Sequence, residues 1–297
     1  MFKIKSLPEG LHIGFHAARS HTVIDMHHCD ILTPGLFALV VALRQRLEPL
    51  LGVGEAAELH VTETETGFDA ALRWRAGLTP ALAAELTRAL SGIGIARLTM
   101  GRDLVFETAI PTVTLGGVKV ALPPGPFLQS TAEGEAALQR RVLEIVGKAK
   151  VVADLFAGVG TLALPLARTA KVHAAEQNAA ALAALAAAAK TTQGLKPVTT
   201  ESRDLFRQPL TPAELKRFDA LVLDPPRAGA EAQARVLAAA KNGPATIAYL
   251  SCDAASFARD AAILAGGGWR LGPVAPIDQF LWSSHIELVA GFHRGKG

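Results

Sequence analysis

The 297-residue sequence predicts an α/β protein, an open and mostly parallel sheet in the second half preceded by a smaller α+β domain. Three observations carry this expectation. From Val151 onward, short apolar runs alternate with helical segments, the pattern of βαβ units. The first half instead shows strand-length alternating runs broken by two helical stretches, as in antiparallel sheets with helices on one side. Between them lies Pro123-Pro124-Gly125-Pro126, a stiff stretch that cannot continue a central strand. The domains are therefore drawn at 1–125 and 126–297.

In the first domain, strands are expected over 11–15, 22–26, 58–64, 68–74, 96–100, 104–108 and 112–122, with helices over 36–51 and 80–90. In the second, 151–156 is the first strand, Gly158-Val159-Gly160 a turn and 161–168 a helix. Strand 171–176 follows, then 179–190, almost pure alanine and leucine and so a helix rather than a disordered tract. Strands over 198–203, 218–223 and 246–252 alternate with helices over 231–241 and 256–266. The runs 269–277 and 285–293 close the chain as a hairpin at the sheet edge.

Half of the residues are hydrophobic, enough for a sizeable core. Residues 1–10 mix Lys3, Lys5, Pro8 and Glu9 with isolated apolar residues, and no apolar run approaches the ~18 residues of a membrane span. Two cysteines, Cys29 and Cys252, make no disulfide framework. A cytoplasmic protein, with no membrane association, is expected. The net charge of +3 permits a polyanionic partner without demanding one.

A glycine-rich turn between a first strand and a helix lets backbone N–H groups approach a ligand, and an acidic residue ending the second strand can take ribose hydroxyls. Gly158, Gly160 and Glu176 are those parts. Gly158-x-Gly160-x-x-Ala163 also fits a nicotinamide dinucleotide fingerprint, so the turn alone leaves the ligand open. Asp224-Pro225-Pro226 after the fourth strand is more specific. A carboxylate followed by two prolines makes a rigid, donor-poor corner over the crevice at the strand ends. Ser251-Cys252-Asp253 ends the next strand and places a thiol at the same edge.

From Phe127 to the C-terminus the chain resembles the bacterial RNA 5-methyluridine (uracil-C5) methyltransferases, closest to the branch that modifies 23S ribosomal RNA. The matching stretches are Phe127-Leu128-Gln129, the run 154–161, Arg203-Asp204-Leu205-Phe206, Asp224-Pro225-Pro226-Arg227, Ser251-Cys252-Asp253, and Asp278-Gln279-Phe280 with His285-Ile286-Glu287. That resemblance implies a class I Rossmann-like methyltransferase domain. It implies S-adenosyl-L-methionine as cofactor, held by Gln129, Phe156, Gly158, Thr161, Glu176 and Asp224, with Asp204 against the adenine. RNA would be the partner, 23S ribosomal RNA first and transfer RNA second, and the protein a monomer. In amino-directed methyltransferases the residue after the two prolines is usually aromatic. Here it is Arg227, which suits a phosphate or a base carbonyl better than an attacking amine.

Uracil C5 is a poor nucleophile, so its methylation requires prior activation of the ring. The resemblance gives that task to Cys252, whose thiolate would add to C6. An ordinary thiol is only a few per cent ionised at neutral pH, so the site must stabilise the anion or take its proton. Glu287, flanked by apolar residues, is the expected base for the C5 proton, its pKa raised by desolvation. His285 is a weaker candidate base, and Asp278 or Gln279 could position the uracil edge. The base would be flipped out of any stack.

Many members carry an N-terminal OB-like domain and cysteines for a 4Fe–4S cluster. Neither is seen here, and no cluster is expected, since Cys29 alone cannot hold one. His12, His16, His21, His27 and His28 fit no familiar zinc spacing, so no metal site is expected. With Lys3, Lys5 and Arg19 they make the front of the chain its best candidate RNA surface.

Overall fold

A computed structural model describes residues 1–294 except 18, 19, 282 and 284. The chain divides into two compact units, Met1–Val113 and Thr114–Gly297, a division upstream of the proline stretch.

The first unit holds β1 (Phe2–Leu7), β2 (Gly10–His16), β3 (Val23–Asp25), α1 (Pro34–Leu47), β4 (Ala56–Thr64), β5 (Gly67–Trp74), α2 (Pro80–Leu90), β6 (Ile95–Met100) and β7 (Asp103–Glu107). Its sheet runs β3-β2-β1-β4-β5-β6-β7, antiparallel except where β6 lies parallel to β5. β1 was not anticipated. Its alternation is nonetheless a strand signal, with Phe2 and Ile4 buried while Lys3 and Lys5 face outward. Both helices start at a threonine cap followed by proline. Thr33 accepts from the Leu36 N–H and Thr79 from the Leu82 N–H. Leu39, Val40, Leu43 and Leu47 of α1 join the core of this unit.

The expected single strand over 112–122 is instead a hairpin, β8 (Thr112–Leu115) and β9 (Val118–Ala121). Gly116 and Gly117 turn it with φ of +55° and +78°. Beyond it, α3 (Ala132–Val146), also unanticipated, buries Leu138, Val142 and Val146 on one stripe. Then come β10 (Val151–Leu155), α4 (Ala163–Leu166), β11 (Lys171–Glu176), α5 (Ala179–Thr191), β12 (Val198–Ser202), α6 (Pro212–Leu215), β13 (Ala220–Leu223), α7 (Glu231–Ala239), β14 (Thr246–Ser251), α8 (Ala254–Gly266), β15 (Trp269–Ile277) and β16 (Glu287–Arg294). α4 is much shorter than the helix expected over 161–168, and the turn before it occupies Gly158 to Leu162.

The second sheet has the order β12-β11-β10-β13-β14-β16-β15. The first five are parallel, and β16 inserts antiparallel between β14 and the edge strand β15. All four residues of β13 are buried, as a strand covered on both faces requires. The chain steps from β10 outward to β12, then returns to β13 on the other side of β10. The carboxyl ends of β10 and β13 therefore flank a topological switch point, where open α/β sheets bind ligands.

Candidate active site

At the end of β10 the backbone leaves the strand abruptly. Phe156 has φ +66°, the one non-glycine residue in the left-handed region among the described residues. Such strain persists only where the surroundings impose it. Here the Phe156 N–H donates to the Ala175 carbonyl at 2.9 Å, and its ring lies 5.4 Å from that of Phe206. Gly160 sits at φ +101°, a backbone conformation that residues with a side chain rarely adopt, and a Cβ there would also stand 2.5 Å from Leu185 Cδ1. The Gly158 N–H donates to Glu176 Oε2 at 3.2 Å and the Asn178 N–H to Oε1 at 2.8 Å, so Glu176 ties the turn to the end of β11.

A small cavity beside this turn is lined by Phe127, Gln129, Asp154, Phe156, Gly158, Thr161 and Asp224, among others. The fold thus gathers Gln129, Phe156, Gly158, Thr161 and Asp224 at one place, with Glu176 bonded to the turn. Asp204 is on the neighbouring loop after β12, its carboxylate accepting the Phe206 and Arg207 N–H groups at 3.1 and 3.3 Å. Gln129 is held from afar, since Gln279 Nε2 donates to its Oε1 at 2.9 Å while Gln279 Oε1 accepts the Ser130 N–H at 3.1 Å. Gln279 is buried, and Gly134 makes room for it, as a Cβ at 134 would lie 2.4 Å from Gln279 Cγ. Gln279, expected at the uracil edge, is therefore engaged in fixing the Gln129 loop.

Asp154 was missed as a site residue. It is 0% exposed, neither carboxyl oxygen has a geometric hydrogen-bond partner, and it lines the cavity. Burial first, then the negative fields of Asp224 and Glu176, raise its pKa well above the ordinary range, against one opposing backbone contact from Ala163. In sequence it stands near the end of the first strand and opens the matching run 154–161, the two signals that could have drawn attention to it.

The second cluster lies at the ends of β13 and β14. β16 pairs with β14 in a register that sets Leu288 opposite Ser251, so one step further Glu287 faces Cys252. Cys252 is half-buried and free. Burial and the Glu287 carboxyl push its thiol up, and the Arg227 guanidinium opposes them. Glu287 is buried and its pKa is raised by that burial, again opposed by Arg227. Asp224 is pushed up to about 7, by burial and then by Glu287. Arg227 Nη2 lies 2.8 Å from His285 Nδ1, and since a guanidinium only donates, that ring nitrogen accepts. The ring of His285 is thus engaged by Arg227. Ser251 is buried and brackets Asp253 through its Oγ, and Asp253 caps α8 by accepting the Ser256 N–H at 2.8 Å. The thiol is thus held at a fixed strand-to-helix junction.

The arrangement offers a thiol, two carboxyl groups of raised pKa and one guanidinium beside a ligand cavity. Burial and the neighbouring carboxyl groups disfavour the thiolate, and the Arg227 guanidinium is the charge that favours it. Among the described residues no group of His, Cys, Asp or Glu could hold a metal ion, and no helix is long and apolar enough to cross a membrane.

In the first unit a groove of about 1190 Å³ is lined by Lys3, Lys5, His16 and His21 together with Arg73, Trp74, Arg75 and Arg102. Lys3 pairs with Glu58. His27 and His28 pair with Asp25 and Asp30 at 2.9 and 2.6 Å. Arg19 lies outside the described residues.

No family model matches the chain. An uncharacterized RNA methyltransferase of Rhizobium meliloti is 44% identical over 289 residues, covering 97% of this chain and 69% of the relative. The 23S rRNA (uracil(1939)-C(5))-methyltransferase RlmD of Aeromonas hydrophila is 29% identical over 290 residues, 95% of this chain and 65% of that protein. Among solved structures, the tRNA (uracil-54, C5)-methyltransferase of Pyrococcus abyssi, in complex with S-adenosyl-L-homocysteine, superposes with a TM-score of 0.73 over 98% of this chain and 74% of that one. At 22% identity that likeness establishes the shared Rossmann-like methyltransferase fold. The level and extent of identity to the first relative establish more: the chain belongs to the RNA methyltransferase family.

Proposed function

We propose that the protein is an RNA uracil-C5 methyltransferase that forms 5-methyluridine in 23S ribosomal RNA, with S-adenosyl-L-methionine as methyl donor. Supporting this is one convergence above all: Cys252, Glu287, Asp224 and Arg227 meet at adjoining strand ends, next to the glycine turn. A nicotinamide enzyme would use the turn but leave the thiol and the Asp-Pro-Pro corner without a task.

The residues fit the donor. The cavity carries a buried carboxyl group, Asp154, without a geometric partner and a second, Asp224, both suited to a cationic ligand. Open space stands where a Gly158 side chain would be, as close approach to a nucleoside requires. Gln129, Phe156, Thr161 and Glu176 would complete the binding set, with Asp204 at the adenine. When bound, the sulfonium supplies an electrophilic methyl group.

Cys252 would lose its proton to a neighbouring carboxylate and add through sulfur to uracil C6, moving the ring electrons toward C5 and O4. Arg227 is the cation placed to meet that charge. C5 would then attack the methyl group of the donor held by Gln129, Phe156, Gly158, Thr161, Glu176 and Asp224, which would supply that methyl as an electrophile and be left as a neutral thioether. Glu287 accepts the C5 proton. The ring double bond re-forms as the Cys252 sulfur leaves C6. A raised pKa matches Glu287 to this task, since a base nearer neutrality both accepts and releases a proton readily.

For the RNA, the groove of the first unit is the surface of choice. It sets Lys5, Arg75 and Arg102 beside the Trp74 ring, with Lys3 and Arg73 paired to Glu58 and with Glu55 and Asp103 also in the lining, and cations next to a stacking surface are what single-stranded nucleic acid binds. The test is incorporation of labelled methyl groups into unmodified 23S ribosomal RNA and transfer RNA, followed by nucleoside analysis. 5-Methyluridine in the ribosomal RNA, absent with Cys252→Ala, is the expected result. Methylated transfer RNA alone would move the substrate, and a different methylated nucleoside would overturn the proposed chemistry.

A further inference from the structure

We infer that Asp260, working with Tyr249 and Arg259, is a positioning device that holds the 224–230 loop, and with it Arg227, the guanidinium whose charge reaches the Cys252 thiol. For its meaning in turnover this rests on the uracil-C5 reading. The geometry itself does not.

Asp260 is 0% exposed on α8, one helix downstream of Cys252. Its Oδ2 accepts the Ala230 N–H at 2.7 Å and the Tyr249 hydroxyl at 2.5 Å, and the Tyr249 oxygen lies 3.0 Å from that same N–H. Its Oδ1 accepts Arg259 Nε at 2.8 Å, while Arg259 Nη2 donates to the Ala228 carbonyl at 2.8 Å. A buried carboxylate is costly unless paired, and every one of these partners pairs it or carries it to the loop. Ala230 opens α7 with no side-chain cap, and Asp260 takes up from outside one of the backbone N–H groups that a helix start leaves unpaired.

Between the clamped residues stands Gly229 at φ +75°. A Cβ there would lie 2.6 Å from both Arg259 Nη2 and Asp260 Oδ2, so the loop passes this close only because residue 229 is glycine. At its other end the loop is stiffened by Pro225 and Pro226, and the Gly229 N–H closes a turn onto the Pro226 carbonyl at 2.8 Å. Arg227 lies inside this turn. Tyr249 and Asp260 come from β14 and α8, the two elements that join at Cys252. The clamp therefore ties the thiol's own support to the loop that carries the guanidinium.

The groups whose charges reach the Cys252 thiol are Glu287 on β16, Asp224 at the end of β13 and Arg227 on the loop; His285 meets Arg227 directly. Of these only Arg227 favours the thiolate. Releasing the loop should therefore make the thiol harder to ionise. The sign is diagnostic, because simple removal of a nearby negative charge would make it easier to ionise.

The experiment measures alkylation of Cys252 by iodoacetamide as a function of pH, resolved from Cys29 by peptide mass spectrometry, with no RNA or methyl donor present. Wild type is compared with Asp260→Asn, Tyr249→Phe, Arg227→Gln and Asp260→Asn/Arg227→Gln, with thermal melting of each. Asp260→Asn should slow alkylation near pH 7.5 by about 5- to 10-fold through a higher apparent thiol pKa, as should Arg227→Gln. The double variant should go no further than either single. Tyr249→Phe, which removes one hydroxyl and keeps the ring, should shift the profile less and in the same direction, and it decides the matter should Asp260→Asn not fold. An unchanged profile, a shift toward faster alkylation, or additive effects in the double variant would overturn the inference. Loss of methylation with an intact alkylation pattern would count against the proposed function and leave the clamp standing.

Discussion

Replacing Asp224 by asparagine should stabilise the second unit increasingly as pH rises. The Asp224 carboxyl at the end of β13 is packed beside Glu287, and its pKa stands at about 7 instead of the ordinary 3.8. Between those values the native protein keeps a proton that the unfolded chain has already released. The unfolded state thus binds fewer protons there, and stability falls with rising pH. Below about pH 4 the group is protonated in both states and contributes nothing. Above about pH 7 the full cost is present, at most ~4 kcal/mol at 1.36 kcal/mol per tenfold, and about 2–4 kcal/mol once water reaching a half-buried group is allowed for. Asparagine keeps the shape and removes the charge. Urea unfolding of both proteins between pH 4.5 and 8.5, in a Trp74→Phe background so that fluorescence reports the second unit, reads the difference. It should be small at the acid end and grow through neutrality in favour of Asp224→Asn. Parallel stability curves would refute the idea that a charge is being held out of water at this position.

Three further outcomes follow from the same geometry. Gln279→Leu removes both bonds that hold the Gln129 loop, so S-adenosyl-L-homocysteine should bind about tenfold more weakly by calorimetry while Cys252 alkylation is unaltered. Glu287→Gln should lower turnover by about 10²- to 10⁴-fold and trap a methylated RNA–protein adduct, visible as a band that survives denaturing electrophoresis. Replacing Arg75 and Arg102 by alanine should weaken RNA binding and reduce the salt dependence of log K by up to ~1 per lost phosphate contact, with donor binding unchanged.

Much of this was legible along the chain because it is local. The runs ending in Leu155, Leu223 and Ser251 read as buried parallel strands, and residues placed just past strand ends can be located without any tertiary information. β1 was hidden for the opposite reason. Its apolar residues, Phe2, Ile4 and Leu7, are separated by lysines, and a short alternating stretch at a terminus carries little weight until β2 and β4 pair with it. α3 was overlooked because its apolar stripe is diluted by charges on the exposed face. The contacts that hold the site in shape were beyond reach. Gln129 and Gln279 are 150 positions apart, and Asp260 meets Ala230 across 30. No periodicity reports such pairs. Likewise a buried carboxyl group without a geometric partner, as at Asp154, is defined by the hydrogen bonds it lacks, and those leave no mark in sequence.

The most direct test of the central claim mixes the protein with S-adenosyl-L-methionine and RNA carrying 5-fluorouridine, using wild type and Cys252→Ala, and seeks a covalent complex by mass spectrometry. Fluorine at C5 cannot be removed as a proton, so the sulfur–C6 bond should persist. The expected result is an adduct on Cys252 that depends on the methyl donor and is lost in the variant. RNA and donor binding without any such adduct would contradict nucleophilic attack by Cys252 and, with it, uracil-C5 chemistry at this site.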